Sequence, residues 1–323
     1  MKKIVCVLTM IILFTVLLTG CSNVKYYNLP KEKTIDTMLK DGGYKLVFED
    51  NFNGDKIDLT HWSVGYGTPM RRGGYYSEDT VFQKNGNLVI RAEYRENGEH
   101  GAGWYTGWVE SASPSGGHNV DNRPDYYVGK SASYGYYEVR CKAPKSVGIW
   151  SAFWLMPDSG LGSEGMMGND KIGTSADGIE VDIMESLFYN HTGHRNSVQH
   201  VLHGDGYGEN TKVASSRIYK VPHMYDDFHT YGVMWTEEEY IFFIDGVETW
   251  RTHFDDMGVS HAVSYMLLTN EIAGSVRDGK VYPGVDFDAD GNKIKHWAGN
   301  PNDNKKNRSY DFVIDYVKLY TNR

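Results

Sequence analysis

Cysteine is nearly missing from this chain, with three in 323 residues. Two of them, Cys6 and Cys21, lie close to the N-terminus, which leaves Cys141 as the sole thiol of everything that follows. An intramolecular disulfide framework is therefore excluded. Cys141 sits in the alternating run Tyr136-Tyr137-Glu138-Val139-Arg140-Cys141-Lys142, where a small buried hydrophobe is expected. A basic stripe is also missing. The net charge is −9 and lysines and arginines are scattered, which excludes a nucleic-acid partner. No stretch shows the 3.6-residue apolar period over three turns, so a helical bundle is excluded as well. Long apolar runs are absent but for Ile4–Leu18, which is shorter than the ~20 residues of a membrane span.

That run follows Lys2 and Lys3 and ends in Leu18-Thr19-Gly20-Cys21. A basic start, a short apolar stretch and small residues before the cut read as a secretory signal. The last four residues resemble a bacterial lipobox, with Cys21 as the lipidated first residue after processing. The expected organisation is a signal peptide over 1–20, a lipidated tether over 21–41 and a catalytic domain over 42–323. The tether reading allows one short helical turn around Thr34–Leu39. The expected location is the outer face of the cell envelope, with the membrane touched only through the lipid, and the expected state is a monomer.

What is abundant is glycine, 36 residues, and aromatic residues, with 24 Tyr and 8 Trp. Such a profile suits a turn-rich β protein. Asn85-Gly86, between Val81-Phe82-Gln83 and Leu88-Val89-Ile90, predicts a type I′ hairpin. Further strands are predicted over 104–112, 134–143, 150–156, 178–186, 197–203, 229–235, 240–244, 263–269 and 310–320. Many short strands and little helix indicate an all-β sandwich or barrel. Two long polar loops are expected, over 159–177 and 277–308. Within the second, Asp286-Phe287-Asp288-Ala289-Asp290-Gly291 has the opening spacing of a calcium-binding EF-hand loop. Its twelfth position is Trp297 rather than Glu, so a polar turn is expected there.

The segment Glu180-Val181-Asp182-Ile183-Met184-Glu185 carries the chemistry. In an extended strand, Glu180 and Asp182 share one face and Val181 and Ile183 the other. Strict alternation would turn Glu185 away. One extra residue, a β-bulge at Ile183-Met184, returns it to the face of its partners. Carboxylates crowded on one face repel and favour protonation. A pair of carboxyl groups, one nucleophilic and one protonated, is the requirement of a retaining glycosidase; a divalent metal site and a solvated edge strand are the alternatives. Trp150-Ser151-Ala152-Phe153-Trp154-Leu155-Met156-Pro157, just upstream, offers flat rings on which sugars stack. By alternation Trp154 shares a face with Ala152, while Phe153 and Leu155 face the core. Trp62, Trp104, Trp108 and Trp235 are further candidate platforms.

These residues resemble glycoside hydrolase family 16 in its bulged Glu-x-Asp-x-x-Glu form. Phe48-Glu49-Asp50-Asn51-Phe52-Asn53-Gly54 resembles the family's opening strand, and Tyr134-Gly135-Tyr136-Tyr137-Glu138-Val139-Arg140 another of its strands. Phe228-His229-Thr230-Tyr231-Gly232 with Trp235, Ile244-Asp245-Gly246 and Asp315-Tyr316-Val317-Lys318-Leu319-Tyr320 resemble its later core and closing strand.

The resemblance implies a jelly-roll β-sandwich, concanavalin A-like, with a concave cleft for an extended polysaccharide. It implies Glu180 as nucleophile, Asp182 as its assistant and Glu185 as acid/base. Trp154, Trp150, His203 and Asn270 are the implied substrate-binding residues. Arg71 or Arg72, in the glycine-rich loop 65–74, can also reach the cleft, with a solvated surface the preferred reading. No cofactor is expected for catalysis. The resemblance implies a structural calcium held by Asp315, the Gly86 carbonyl and Asn51, the last in place of a more usual Glu. The expected activity is endo-hydrolysis of β-1,3- or mixed β-1,3/1,4-glucans. A β-galactan hydrolase, a transglycosylase and a non-catalytic glycan-binding lipoprotein remain as alternatives.

Overall fold

A computed structural model describes residues 27–111, 134–157, 172–186, 195–304 and 306–322. Cys21 and the expected signal peptide lie outside the described residues, as does most of the expected loop over 159–177.

Among the described residues, two large sheets of nine and eleven strands dominate. In the first, the acidic strand Glu180–Ser186 lies between Ser197–Gly204 and Ile149–Pro157. Ser264–Ile272, Trp108–Ser111 and Trp62–Val64 continue that sheet on the far side of Ile149–Pro157. The second is built around Gly135–Lys142, Ser309–Thr321 and Leu88–Gly98, with His229–Trp235 and Tyr240–Ile244 toward one edge. Apolar residues at every second position face between the sheets. Phe153, Leu155, Val181, Leu202 and Leu268 of the first sheet meet Val139, Cys141, Val233, Phe242, Ile314 and Val317 of the second in one continuous core. The fold is thus the expected all-β sandwich, and Cys141 is the buried, free thiol anticipated.

The Asn85-Gly86 hairpin forms as predicted. Both residues have positive φ, 54° and 71°, as a type I′ turn requires. The strand predicted over 104–112 is instead two strands in different sheets. Gly101–Thr106 belongs to the second sheet and Trp108–Ser111 to the first, with the switch at Gly107. A Cβ at Gly107 would lie 2.2 Å from Val81 Cγ2, so only glycine lets the chain cross there.

The expected tether is docked from Tyr27 onward. Tyr27 pairs in parallel with Tyr219. Helix Ile35–Asp41 carries Ile35, Met38 and Leu39 on one face, the i, i+3, i+4 pattern of an amphipathic helix. Ile35 is buried among Tyr136, Met234, Ile241 and Phe243 on the outer side of the second sheet. The expected loop over 277–308 holds two hairpins, Gly274–Arg277 with Lys280–Pro283 and Val285–Phe287 with Lys293–Lys295. The Asp288 carboxylate accepts from the backbone of Asp290 and Asn292, so the EF-hand-like spacing closes the second hairpin as a polar turn.

Candidate active site

The outer face of the first sheet carries the carboxylates, and a bulge puts them there. Across the acidic strand, Asp182 pairs with Val201 but Glu185 with Gln199, so three residue steps oppose two. Ile183 and Met184 both turn into the core with no exposed surface, and Glu185 emerges beside Glu180 and Asp182. The carbonyl of Ile183, displaced from regular pairing, is taken by His200, whose Nδ1 lies 2.6 Å away. Burial pushes His200 down to about 4, so its ring is neutral and donates Nδ1–H to that carbonyl. His200 was not among the candidates, because nothing in its local sequence links it to a bulge on the next strand.

Glu180 and Asp182 are almost fully buried, and Glu185 is partly accessible. Oxygens of Glu180 and Asp182 and a ring nitrogen of His203 lie within 4.8 Å of one another. Among the described residues, this is the one such grouping with a donor set that could hold a metal ion. His203 Nε2 is 3.4 Å from Asp182 Oδ2, too loosely placed for a hydrogen bond, and both Asp182 Oδ2 and His203 Nδ1 lack a hydrogen-bond partner. Burial, then the charges of Glu185 and Glu180, push the Asp182 carboxyl well above the usual carboxylate range. The same causes, burial first and Glu180 next, raise Glu185 to about 7. Burial also lowers His203, keeping its ring neutral near pH 7. Tyr207, from the glycine-rich segment that follows His203, donates its hydroxyl to Glu180 Oε2. Its sequence signal was only an aromatic residue between Gly206 and Gly208.

The neighbouring strand Ile149–Pro157 presents Trp150 and Trp154 to the same side. Ala152, Trp154 and Met156 cluster on the outer face with Trp108 and Tyr76, while Phe153 and Leu155 enter the core, as alternation requires. Trp154 is only 5% exposed. Its Nε1 donates to Thr269 Oγ1 at 3.2 Å, and its ring meets Trp108 edge-on at 5.5 Å. Trp150 donates Nε1–H to Glu185 Oε1 at 2.9 Å. Trp62, Trp104, Trp108 and Trp235 are fully buried packing residues rather than open platforms. The exposed indole is Trp297, 46% accessible, which meets Trp150 at 6.1 Å and stacks on His296. Its local sequence marks it only as the twelfth place of the EF-hand-like spacing.

Asn270 does not reach the site. On Ser264–Ile272, Leu268 is in the core, so Asn270, two residues on, also points between the sheets. Its amide donates to the carbonyls of Ile90 and Tyr310 in the second sheet at 2.9 and 3.3 Å and accepts from Ser151 Oγ at 2.7 Å. The residue facing outward is Glu271. It accepts from Arg71 Nε at 2.5 Å, Arg72 Nε at 2.8 Å and Tyr76 Oη at 2.8 Å. Burial opposes its ionisation, but the two guanidinium charges win and hold it down at about 2. The expectation that Arg71 and Arg72 are solvated surface is thus overturned. Arg72 also lies flat over Trp150, 4.0 Å from Cζ to the ring centroid.

The residues expected to hold calcium make a weak donor set. Asp315, the only acid of the three, is ion-paired with Arg140, and Asn51 is exposed and neutral. Gly86 sits in its tight turn against Asn53. Calcium is held by carboxylates together with backbone and amide carbonyls, and the one carboxylate of this trio is already engaged by a guanidinium.

The chain is 30% identical over 203 residues to the endo-1,3-1,4-beta-glycanase ExsH of Rhizobium meliloti (strain 1021), covering 60% of this chain and 32% of that protein. It is 27% identical over 229 residues to beta-porphyranase B of Zobellia galactanivorans, covering 63% and 66%. The chain thus spans about a third of the first relative and two thirds of the second. The laminarinase catalytic domain of Thermotoga maritima MSB8 superposes with a TM-score of 0.60 over 87% of this chain and 99% of that one, at 22% identity, a likeness of fold. The sequence profile of glycosyl hydrolases family 16 matches residues 121–299, more than half of the chain and the stretch that holds Trp150, Trp154, all three carboxylates and His203. With the sandwich and the outward carboxylate strand in place, that match settles the relationship: the chain belongs to glycosyl hydrolases family 16.

Proposed function

We propose that the chain is a retaining endo-β-glycanase that hydrolyses β-1,3- or mixed β-1,3/1,4-glucans. The observation that carries this reading is the bulge that sets Glu185, raised to about 7, on one face with Glu180. A carboxyl titrating there is still protonated near neutral pH and can give its proton to a glycosidic oxygen. Glu180 then attacks the anomeric carbon as the bond to the leaving sugar breaks, forming a glycosyl-enzyme. Glu185, now ionised, takes a proton from water as that water attacks the same carbon. Asp182 stays protonated between them and spares the site a third negative charge. Tyr207, donating to Glu180, holds the nucleophile's other oxygen in place.

The test is a reducing-sugar panel of β-1,3-glucan, mixed-linkage glucan and β-galactans, run on the native chain and on Glu180→Gln. The galactans belong in the panel because a beta-porphyranase is among the relatives. The native chain is expected to release reducing ends from a glucan, and the variant to lose about four decades of rate or more. Activity on galactans alone would move the substrate to the second class. Unchanged turnover by Glu180→Gln would remove the nucleophile assignment.

The lipid anchor is the second part of the proposal. It rests on the apolar run Ile4–Leu18 and on Leu18-Thr19-Gly20-Cys21. Because the chain docks from Tyr27, only six residue steps separate Cys21 from the domain. At ~3.3–3.6 Å per residue, the domain would stand within roughly 20 Å of the lipid surface. Cys21→Ser is expected to shift the protein from the membrane fraction to the soluble fraction, and an unchanged distribution would reject the anchor.

A further inference from the structure

We propose that Trp150 and Arg72, held in place by Glu271, are positioning residues for Glu185: the indole aims its carboxyl group, and the guanidinium stacked on the indole fixes the ring and sets a cation on its far side. The inference rests on the acid/base role given to Glu185 above.

The geometry is a continuous chain. Glu271 Oε2 accepts from Arg72 Nε at 2.8 Å, Arg72 covers the Trp150 ring at 4.0 Å, and Trp150 Nε1–H donates to Glu185 Oε1 at 2.9 Å. An oxygen that already accepts an N–H is a poor place for a proton. The acidic proton therefore resides on Oε2, and the indole selects which oxygen faces the glycosidic bond. The same contact stops the carboxyl from rotating.

Arg72 brings a cation to a site rich in negative charge, and unrestrained it would pair directly with Glu180 or Glu185. Such a pair would quench the nucleophile or hold the acid ionised. Glu271 prevents this by engaging Nε, and it is itself braced by Arg71 and Tyr76. The guanidinium is left to act across the ring, close enough to moderate Glu185 and too constrained to bind it.

The groups facing Glu185 from each packed element support this balance. Glu180 and Asp182 come from its own strand, and Glu180 pushes its titration up. Gln199, opposite on the next strand, carries no charge. Glu271, two strands away on the other side, adds a weak upward push. Trp150 and Arg72 act in the opposite direction. Without them, burial and Glu180 would act unopposed. The acid would then be slower to ionise, as it must when it gives up its proton and later serves as base.

The test compares the full-length chain with Trp150→Phe, Arg72→Ala and Arg72→Lys. Glu185 is titrated by carboxyl carbon-13 NMR, which needs no turnover, and the pH profile of kcat/KM is measured on the best glucan. Loss of the indole hydrogen bond, worth about 1.5 kcal/mol to a charged acceptor, corresponds to a rise of roughly one pH unit. Trp150→Phe is expected to show that rise in NMR, and the alkaline limb of the profile should follow it. Its kcat should fall roughly tenfold with KM within about twofold, since a misaimed acid harms the chemical step. Arg72→Ala should move the titration the same way and Arg72→Lys should restore much of it. A kcat loss with the NMR titration unmoved would assign the three residues to structure only and overturn the proposal. Full activity of Glu185→Gln would instead overturn the glycosidase reading, while the NMR titration would still decide the positioning claim.

Discussion

Glu185 and Glu271 lie in the same sheet, separated by the single strand Ile149–Pro157. Both face outward into enclosed surroundings, yet one is raised to about 7 and the other held at about 2. Burial pushes both upward, so it does not explain the difference. Neighbours do. Glu271 receives two guanidinium groups and a phenol directly, whereas Glu185 faces further carboxyl groups, accepts from one neutral indole and feels the Arg72 guanidinium only across that ring. One side of the site is therefore a structural clamp whose charge is permanent. The other side is an acidic strand whose charge, with Glu185 raised to about 7, changes near neutral pH. On the proposed mechanism, the clamp influences that strand without joining its proton transfers.

The largest way to break this contrast is to remove the clamp's centre. Glu271→Ala leaves Arg71 and Arg72, whose side chains are 24% and 32% exposed, without their shared carboxylate; a fully buried pair stripped of one partner costs about 3–5 kcal/mol, and this exposure lowers the expected loss to about 1–3 kcal/mol. Thermal melts near pH 7 should show that loss together with a fall in activity. A melting temperature within a degree or two of the native chain would mean that solvent already screens the pairs.

A second effect separates the two carboxylates by pH. Glu271 has a folded value below its ordinary 4.5, so its contribution is fully present above about pH 5 and is lost as pH falls toward 2. The difference between 4.5 and about 2 corresponds to about 3 kcal/mol. Glu185 has the opposite sign. Its folded value lies above 4.5, so the folded state is favoured below that pH and loses stability as pH rises toward about 7. Glu185→Gln should therefore stabilise the chain by about 1–3 kcal/mol at pH 8 and leave it unchanged at pH 4. Parallel melting curves for the variant and the native chain across that range would show that Glu185 does not titrate as its surroundings imply.

The sandwich was legible in the sequence because alternation is a local property. Phe153 and Leu155 face inward, Trp154 faces outward, and the Asn85-Gly86 turn has the required positive φ angles. The bulge was legible too, since three acids in six residues gain a shared face only through an extra residue. Asn270 was misplaced because resemblance gave its position in the chain but not its parity, and one step along a strand exchanges the sheet interface for the site. Its neighbour Glu271 had no local signal, because its partners Arg71 and Arg72 are about 200 residues away in the chain. Trp297 stayed hidden for a similar reason, being outside any strand and next to Trp150 only after the hairpins fold back.

Neighbouring residues alone are enough to give the all-β class, the inward and outward faces of the acidic strand and its upstream neighbour, and the grouping of three carboxyl groups on one face. Period-two alternation and turn chemistry are written in adjacent residues and need no distant partner. Only the tertiary structure decided which charges meet. The pairing of Arg71 and Arg72 with Glu271 and the stack of Arg72 on Trp150 join segments far apart in the chain, and the His200 contact that holds the bulge crosses to the adjacent strand. The titration of a carboxyl group depends on what lies within a few ångströms of it, and in a sandwich those neighbours are supplied by the packing of strands remote in sequence.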